Sequence, residues 1–152
     1  MFITNVCKCL NDAKIPYAVV GGYAVAIHGA IRGTIDVDIV IEWTLENLVN
    51  VETALKKMGL VSQLPITADN IFHFRKEYIK NRNLIAWNFY NKQNPHQQVD
   101  LIINYDLKNH RVKTIKSSSG IIKVLSKSDL IAMKKKSGRP QDIEDAKALE
   151  SL

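Results

Sequence analysis

Cysteine is almost absent: Cys7 and Cys9 are the only two in 152 residues. Two positions apart on a helix, they point in different directions and cannot bridge each other comfortably. A disulfide framework is therefore excluded, and the pair reads as reduced thiols of a cytoplasmic protein. The four histidines supply no metal-ligand spacing around them. No apolar run approaches the roughly 20 residues that span a bilayer, which excludes a membrane partner. Met1 to Asn5 lacks a basic stretch leading into an apolar core, so no signal peptide is expected. Repeats, low-complexity tracts and linkers are also missing. The expectation is one domain over 1–152, closed by two helices at about 126–152.

What is present is ordinary for a globular chain: 46% hydrophobic and 24% charged residues. A chain of this length buries about two thirds of its unfolded surface. The formal net charge is +6, with a pI near 9.3. That balance favours anionic partners such as nucleotides or RNA through its long-range field, and says nothing about the fold.

Ile3, Val6, Cys7 and Leu10 recur at helical spacing, predicting a first helix that ends before Pro16. Tyr17 to Val20 reads as a strand stopped by Gly21-Gly22, and Tyr23 to His28 as a buried helix. Ile35 to Ile41 alternates as a strand does. Leu45 to Leu55 marks a helix closed by Gly59. Three strands are expected in the middle, over 71–75, 84–90 and 98–103. Val112 to Lys116 and Ile121 to Val124 suit a hairpin. Ser126 and Asp129 suggest a capping box, Gly138 a helix end, and Pro140 the start of a last helix. The order implies an α/β (α+β) fold, a mixed sheet flanked by helices.

The residues with chemistry begin at Gly21-Gly22. A strand running into two glycines and a helix lets backbone N–H groups approach an anion, although such turns are common and mostly structural. Asp36-Val37-Asp38 says more. Residues two apart on a strand share a face, so both carboxylates project together while Val37 and Ile39 enter the core. Two such acids repel unless a cation lies between them, and hard oxygen ligands beside substrate phosphate suit Mg²⁺. A pair of solvated acids at a strand edge would look the same. Asp100 weighs against that, because Val99-Asp100-Leu101-Ile102-Ile103 is otherwise a buried strand and an unpaired acid there is costly. A salt bridge would also account for Asp100. If its strand lies beside that of Asp36 and Asp38, three acids converge on Mg²⁺ or Mn²⁺, and Asp100 can accept a proton from an attacking hydroxyl.

Gly21-Gly22, Asp36-x-Asp38 and Asp100 resemble the pattern of the DNA polymerase β-like nucleotidyltransferase superfamily. The longer string Val20 to Gly29, with Arg32 and Thr34 before the acids, resembles its small bacterial branch of AbiEii-type toxins and minimal nucleotidyltransferases paired with HEPN proteins. Asp129 to Lys134 and Arg139-Pro140-Gln141-Asp142 are similar to the AbiEii side in particular. The resemblance implies the nucleotidyltransferase fold and transfer of NMP from an NTP to a hydroxyl of tRNA, other RNA, protein or a small molecule. It implies metal ligation by Asp36, Asp38 and Asp100. It also implies a lysine, here Lys134, that holds the triphosphate, and a downstream aspartate, here Asp142, that orients Lys134, a nucleobase or the acceptor; Asp145 is the alternative one turn on. Helix-dipole complementarity would explain the same two residues. The role implied is the toxin-like member of a toxin–antitoxin or phage-defence pair. The other role is an antitoxin that neutralises a HEPN-type partner by binding or by AMP transfer. A serine common at the second glycine is here Gly22, which removes a hydroxyl that could touch phosphate.

Arg32 and Thr34 suit phosphate contact or a capped turn equally. Arg139 suits RNA or phosphate, or a pairing with Asp142. His28 is expected to pack at a helix end, and Ile85, Trp87 and Phe89 to share one core face. Lys134-Lys135-Lys136 could guide RNA, but lysines at a helix end are usually solvated.

Overall fold

The computed structural model describes residues 1–33 and 36–152. Along the chain it has α1 (Phe2–Asp12), β1 (Tyr17–Val20), α2 (Gly21–Ile27), β2 (Val37–Ile41), α3 (Leu45–Lys57), β3 (Leu60–Ser62) and α4 (Ala68–His73). There follow α5 (Arg75–Arg82), β4 (Ala86–Asn91), β5 (Gln98–Ile102), β6 (Val112–Ser117), β7 (Gly120–Leu125), α6 (Lys127–Ser137) and α7 (Pro140–Glu150). The strands form one sheet in the order β3-β4-β5-β2-β1-β7-β6. It is mixed: β2 pairs in parallel with β5 and β1 with β7, while the other neighbours are antiparallel. This is the mixed sheet with flanking helices expected from the sequence.

Alternation divides the central strands into two faces. Val37, Ile39 and Ile41 of β2, Val99 and Leu101 of β5, and Trp87 and Phe89 of β4 are fully buried on one face. Each such side chain contributes roughly 1.5–3 kcal/mol by leaving water. The Trp87 indole N–H, buried with its ring, donates to Ser62 Oγ at 2.8 Å. Asp38, Asn88, Gln98 and Asp100 occupy the intervening, half-buried positions, so they emerge together on the opposite face. The alternation that makes the core also sets out the polar row.

Three local expectations are corrected. Residues 71–73 end α4, Phe74 turns and Arg75 opens α5, where a strand over 71–75 was expected. Thr67 Oγ1 accepts from the Asn70 backbone, and Asn70 Oδ1 accepts in return from the Thr67 N–H at 2.9 Å, which caps α4. Ala68 and Ile71, three apart, are its buried residues, so a reciprocal cap and helical spacing prevail over a short β-branched and aromatic run. Ile85 precedes β4 and is 43% exposed, unlike Trp87 and Phe89. The capping box expected at Ser126 and Asp129 is half formed. Ser126 Oγ accepts from the Asp129 N–H, but the Asp129 carboxylate takes the Arg111 N–H at 2.8 Å. The backbone N–H of Ser126 already donates to the Arg111 carbonyl. The short strand β3, paired with β4, has no counterpart in the sequence reading.

Several expected helix ends agree, whereas α2 starts at Gly21 and not at Tyr23, and Ile35 of the expected strand lies outside the described residues. Gly59 (φ +84°) and Gly138 (φ +66°) follow α3 and α6, and Pro140 opens α7. The His28 ring meets the Leu125 carbonyl at 2.8 Å at the end of α2. No helix among the described residues is long and apolar enough to cross a membrane.

Candidate active site

One register row organises the site. Val20 on β1 faces Asp38 on β2, Asp38 faces Asp100 on β5, and Asp100 faces Asn88 on β4. Neighbouring strands are roughly 4.8 Å apart, so parallel pairing of β2 with β5 makes the meeting of Asp38 and Asp100 unavoidable. Asp36, two residues before Asp38, stands close enough for Asp100 to raise its pKa and for it to raise that of Asp38. The three acids therefore meet on one side of the sheet.

Like charges in a half-buried place cannot all be ionised cheaply. Burial first, then the charges of Asp100 and Asp36, push the Asp38 carboxyl up to about 7. A hydrogen bond from protonated Asp38 to Asp100 adds to the shift, and Lys134 opposes it. Asp36 is raised by burial and then by Asp100. A proton thus occupies the place where a cation would balance the pair. The donor set is all oxygen, which fits Mg²⁺ or Mn²⁺. Among the described residues no three acidic, histidine or cysteine side chains are already gathered at ion-holding distance.

Gly21 must be a glycine. Its φ of +69° is left-handed, and a Cβ there would overlap the Asp38 carboxylate, lying 2.8 Å from Cγ. The backbone at the end of β1 therefore lies against the acids. Gly22 follows, buried, in α2.

The opposite wall comes from α6 and α7. Lys134 is 7% exposed; its Nζ stands 2.9 Å from Asp145 Oδ2 and 3.3 Å from Asp142 Oδ1. Arg139 Nε pairs with Asp142 Oδ2 at 2.7 Å, and Arg32 Nε with Asp145 Oδ1 at 3.1 Å. Burial pushes both aspartates up, but their partners outweigh it. Arg139 and Lys134 hold Asp142 below its usual range, and Lys134, Gln141 and Arg32 do so for Asp145. The choice posed between Asp142 and Asp145 resolves into both: each holds Lys134.

Between the walls lies an open cleft of about 610 Å³. Gly21, Gly22, Arg32, Asp36, Asp38, Asp100, Lys134 and Asp142 all line it. Thr34 lies outside the described residues. Ile85, Ile102 and Asn104 add a partly apolar stretch beyond Asp100. The sequence reading overlooked Asn88, whose Nδ2 donates to Asp100 Oδ1 at 2.8 Å. Its signal was there: a carboxamide between two large aromatics in an alternating strand. The role of Asp145 in holding Arg32 was invisible, because the two are 113 positions apart.

No family model and no curated protein matches the chain. Solved structures do. An antigenic nucleotidyltransferase-like protein from Paracoccidioides brasiliensis is 20% identical with a TM-score of 0.60, over 97% of this chain and 72% of its own. A lincosamide antibiotic adenylyltransferase with lincomycin bound is 13% identical with a TM-score of 0.61, over 95% and 91%. The factor ANT(2″)-Ia in complex with adenylyl-2″-tobramycin is 12% identical with a TM-score of 0.55, over 97% and 84%. At these identities the likeness concerns the fold: the chain has the nucleotidyltransferase fold.

Proposed function

We propose that this chain is a nucleotidyltransferase that uses Mg²⁺ or Mn²⁺ to move NMP from an NTP onto an acceptor hydroxyl. The observation that carries the reading is the row in which Asp38 and Asp100 face each other in register, with Asp36 lining the same cleft. Acids drawn together in register on one side of the sheet, facing a cleft, favour a bound divalent cation. When bound, that cation neutralises charge on the triphosphate and makes the acceptor hydroxyl more acidic.

The chain's own residues do the rest. Asp36, Asp38 and Asp100 hold the cation. Lys134, fixed by Asp142 and Asp145, presents a point charge to the triphosphate, and Arg32 and Arg139 flank it at the rim. Gly21 and Gly22 let the backbone lie close to the phosphates. Asp100 takes the proton of the acceptor hydroxyl. The acceptor oxygen then bonds to the α-phosphorus, the bond from that phosphorus to the bridging oxygen breaks, and pyrophosphate leaves.

For the acceptor, the resemblance to AbiEii-type proteins and the charge of +6 favour tRNA or another RNA. The solved relatives named above carry lincomycin and an adenylylated tobramycin, which keeps a small hydroxylated molecule in view. We read the chain as the toxin-like member of a cytoplasmic toxin–antitoxin or defence pair. An antitoxin that modifies or binds a HEPN-type partner would use the same cleft.

The test uses each of the four α-labelled NTPs with Mg²⁺, offered tRNA, a co-expressed partner protein or a hydroxylated small molecule. Label is expected on one acceptor class, and Asp38→Ala is expected to lose all of it while remaining folded by circular dichroism. Unchanged transfer in Asp38→Ala would remove the metal-acid mechanism. A purely binding antitoxin would still hold its partner with Asp38→Ala.

A further inference from the structure

Asn88 does not line the cleft, yet it is bonded to one of the residues that does. It sits on β4 between Trp87 and Phe89, both fully buried, and faces Asp100 in register. Its Nδ2 donates to Asp100 Oδ1 at 2.8 Å and to Gln98 Oε1 at 3.1 Å. The strand order gives this a direction. β5 lies between β4 and β2, so Asn88 holds Asp100 from one side while Asp38 meets it from the other.

We propose that Asn88 is a positioning residue, which fixes the Asp100 carboxylate so that it faces Asp38 and the acceptor. The inference rests on the proposed cation-dependent transfer. A carboxylate has two oxygens and a freely turning terminal torsion. With one oxygen held by a charge-assisted hydrogen bond, the torsion is set before any ligand arrives. An amide is the suitable donor there. It carries no charge that would cancel that of Asp100, whereas a lysine would compete with the cation. Strand register supplies the rest, since a side chain one residue away on β4 would point into the core.

Three variants test this. Asn88→Leu keeps the branched outline, at a somewhat larger volume, and removes the donor. Asn88→Gln returns an amide one methylene further out. Gln98→Leu removes the other partner of Asn88 and leaves the bond to Asp100 intact. Mn²⁺ binding to the protein, followed by electron paramagnetic resonance without nucleotide, is expected to weaken roughly 10–100-fold in Asn88→Leu. Asn88→Gln should recover part of the loss, and Gln98→Leu should bind as the parent does. In transfer assays the kcat of Asn88→Leu should fall with KM for the NTP little changed. Equal damage from Gln98→Leu would show strand packing at work and would overturn the proposal, as would parental Mn²⁺ binding by Asn88→Leu. The two readings fail separately. If the parent binds Mn²⁺ in an Asn88-dependent way but transfers no nucleotide, the proposed function falls and the positioning role stands.

Discussion

The two walls of the cleft treat charge in opposite ways. On the sheet side, Asp36, Asp38 and Asp100 are drawn together, and Asp38 is pushed up to about 7. On the helix side, two buried aspartates are held below their usual range by Lys134, Arg139 and Arg32. On the helix wall each aspartate has cations beside it, although Asp145 Oδ2 meets Lys134 Nζ at 2.9 Å as an ion pair and accepts no hydrogen bond. On the sheet wall Asp38 still shares a proton near neutral pH, and an oxygen-seeking cation would offset the charge better. Both walls carry aspartates, so the presence of acids alone does not distinguish them. The neighbours do: Asp142 and Asp145 sit against Lys134, Arg139 and Arg32, whereas Asp38 sits against Asp100.

The largest effect should come from breaking the helix wall. Lys134→Met leaves Asp142 and Asp145, only 2% and 3% exposed, without their shared cation. Removing one member of a buried ion group typically costs about 3–5 kcal/mol. Urea denaturation should show a loss of that order, and adding Asp145→Asn should recover part of it. A loss below about 1 kcal/mol would mean that the helix wall is not preassembled, and the contrast between the walls would disappear.

The walls should also respond to pH in opposite directions. In the fold Asp38 keeps its proton up to about 7, against an ordinary value of 3.8. Between those limits the folded chain binds more protons than the unfolded one, so stability falls as pH rises from about 4 to about 7. At 1.36 kcal/mol per unit the ceiling for Asp38 is on the order of 4 kcal/mol. For Asp142 and Asp145 the folded values are lowered. Their contribution is present above about pH 4 and is lost as pH falls further. The cation-free protein should therefore be less stable at pH 8 than at pH 5, with Mg²⁺ restoring stability at pH 8. Asp38→Asn should flatten the loss above pH 5 and leave the acid side intact. A slope that survives in Asp38→Asn would place its origin elsewhere.

How much of this could be read in the sequence follows from where each signal lies. The acids were readable because an Asp inside a β-branched strand contradicts its surroundings, and the contradiction is local. Their convergence needed only one further inference, that residues 98–103 pair with 37–41, which the parallel register of Asp38 and Asp100 satisfies. The helix wall was half readable. Lys134, Asp142 and Asp145 lie within 12 positions of one another, but helix faces decide that both aspartates reach the lysine. Arg32 and Asn88 were out of reach as partners, since nothing near either residue names the acid it meets. Residues 71–75 failed for a different reason. Ile71 and Phe72 suit a strand by composition, and the cap at Thr67 and Asn70 overrules them through the backbone. A cap of this kind is worth about 1 kcal/mol, enough to decide a short segment with weak preference of its own.

Arg139 offers the finest probe of the difference between the walls, because it belongs to the helix wall without being buried in it. Its side chain is 70% exposed, although it reaches Asp142 Oδ2 at 2.7 Å. If burial rather than pairing makes Lys134 structural, Arg139→Ala should cost no more than about 1 kcal/mol, the range of exposed ion pairs. Asp142 would keep Lys134 and would still accept from the backbone N–H of residue 139. The exposed guanidinium at the cleft rim should then appear in substrate binding. Arg139→Ala is expected to raise KM for the NTP while kcat changes little, since a rim charge acts on the triphosphate before and during transfer alike. A fall in kcat with KM unchanged would move Arg139 from the rim to the reacting phosphate. A stability loss near that of Lys134→Met would make pairing, and not burial, the property that separates the walls.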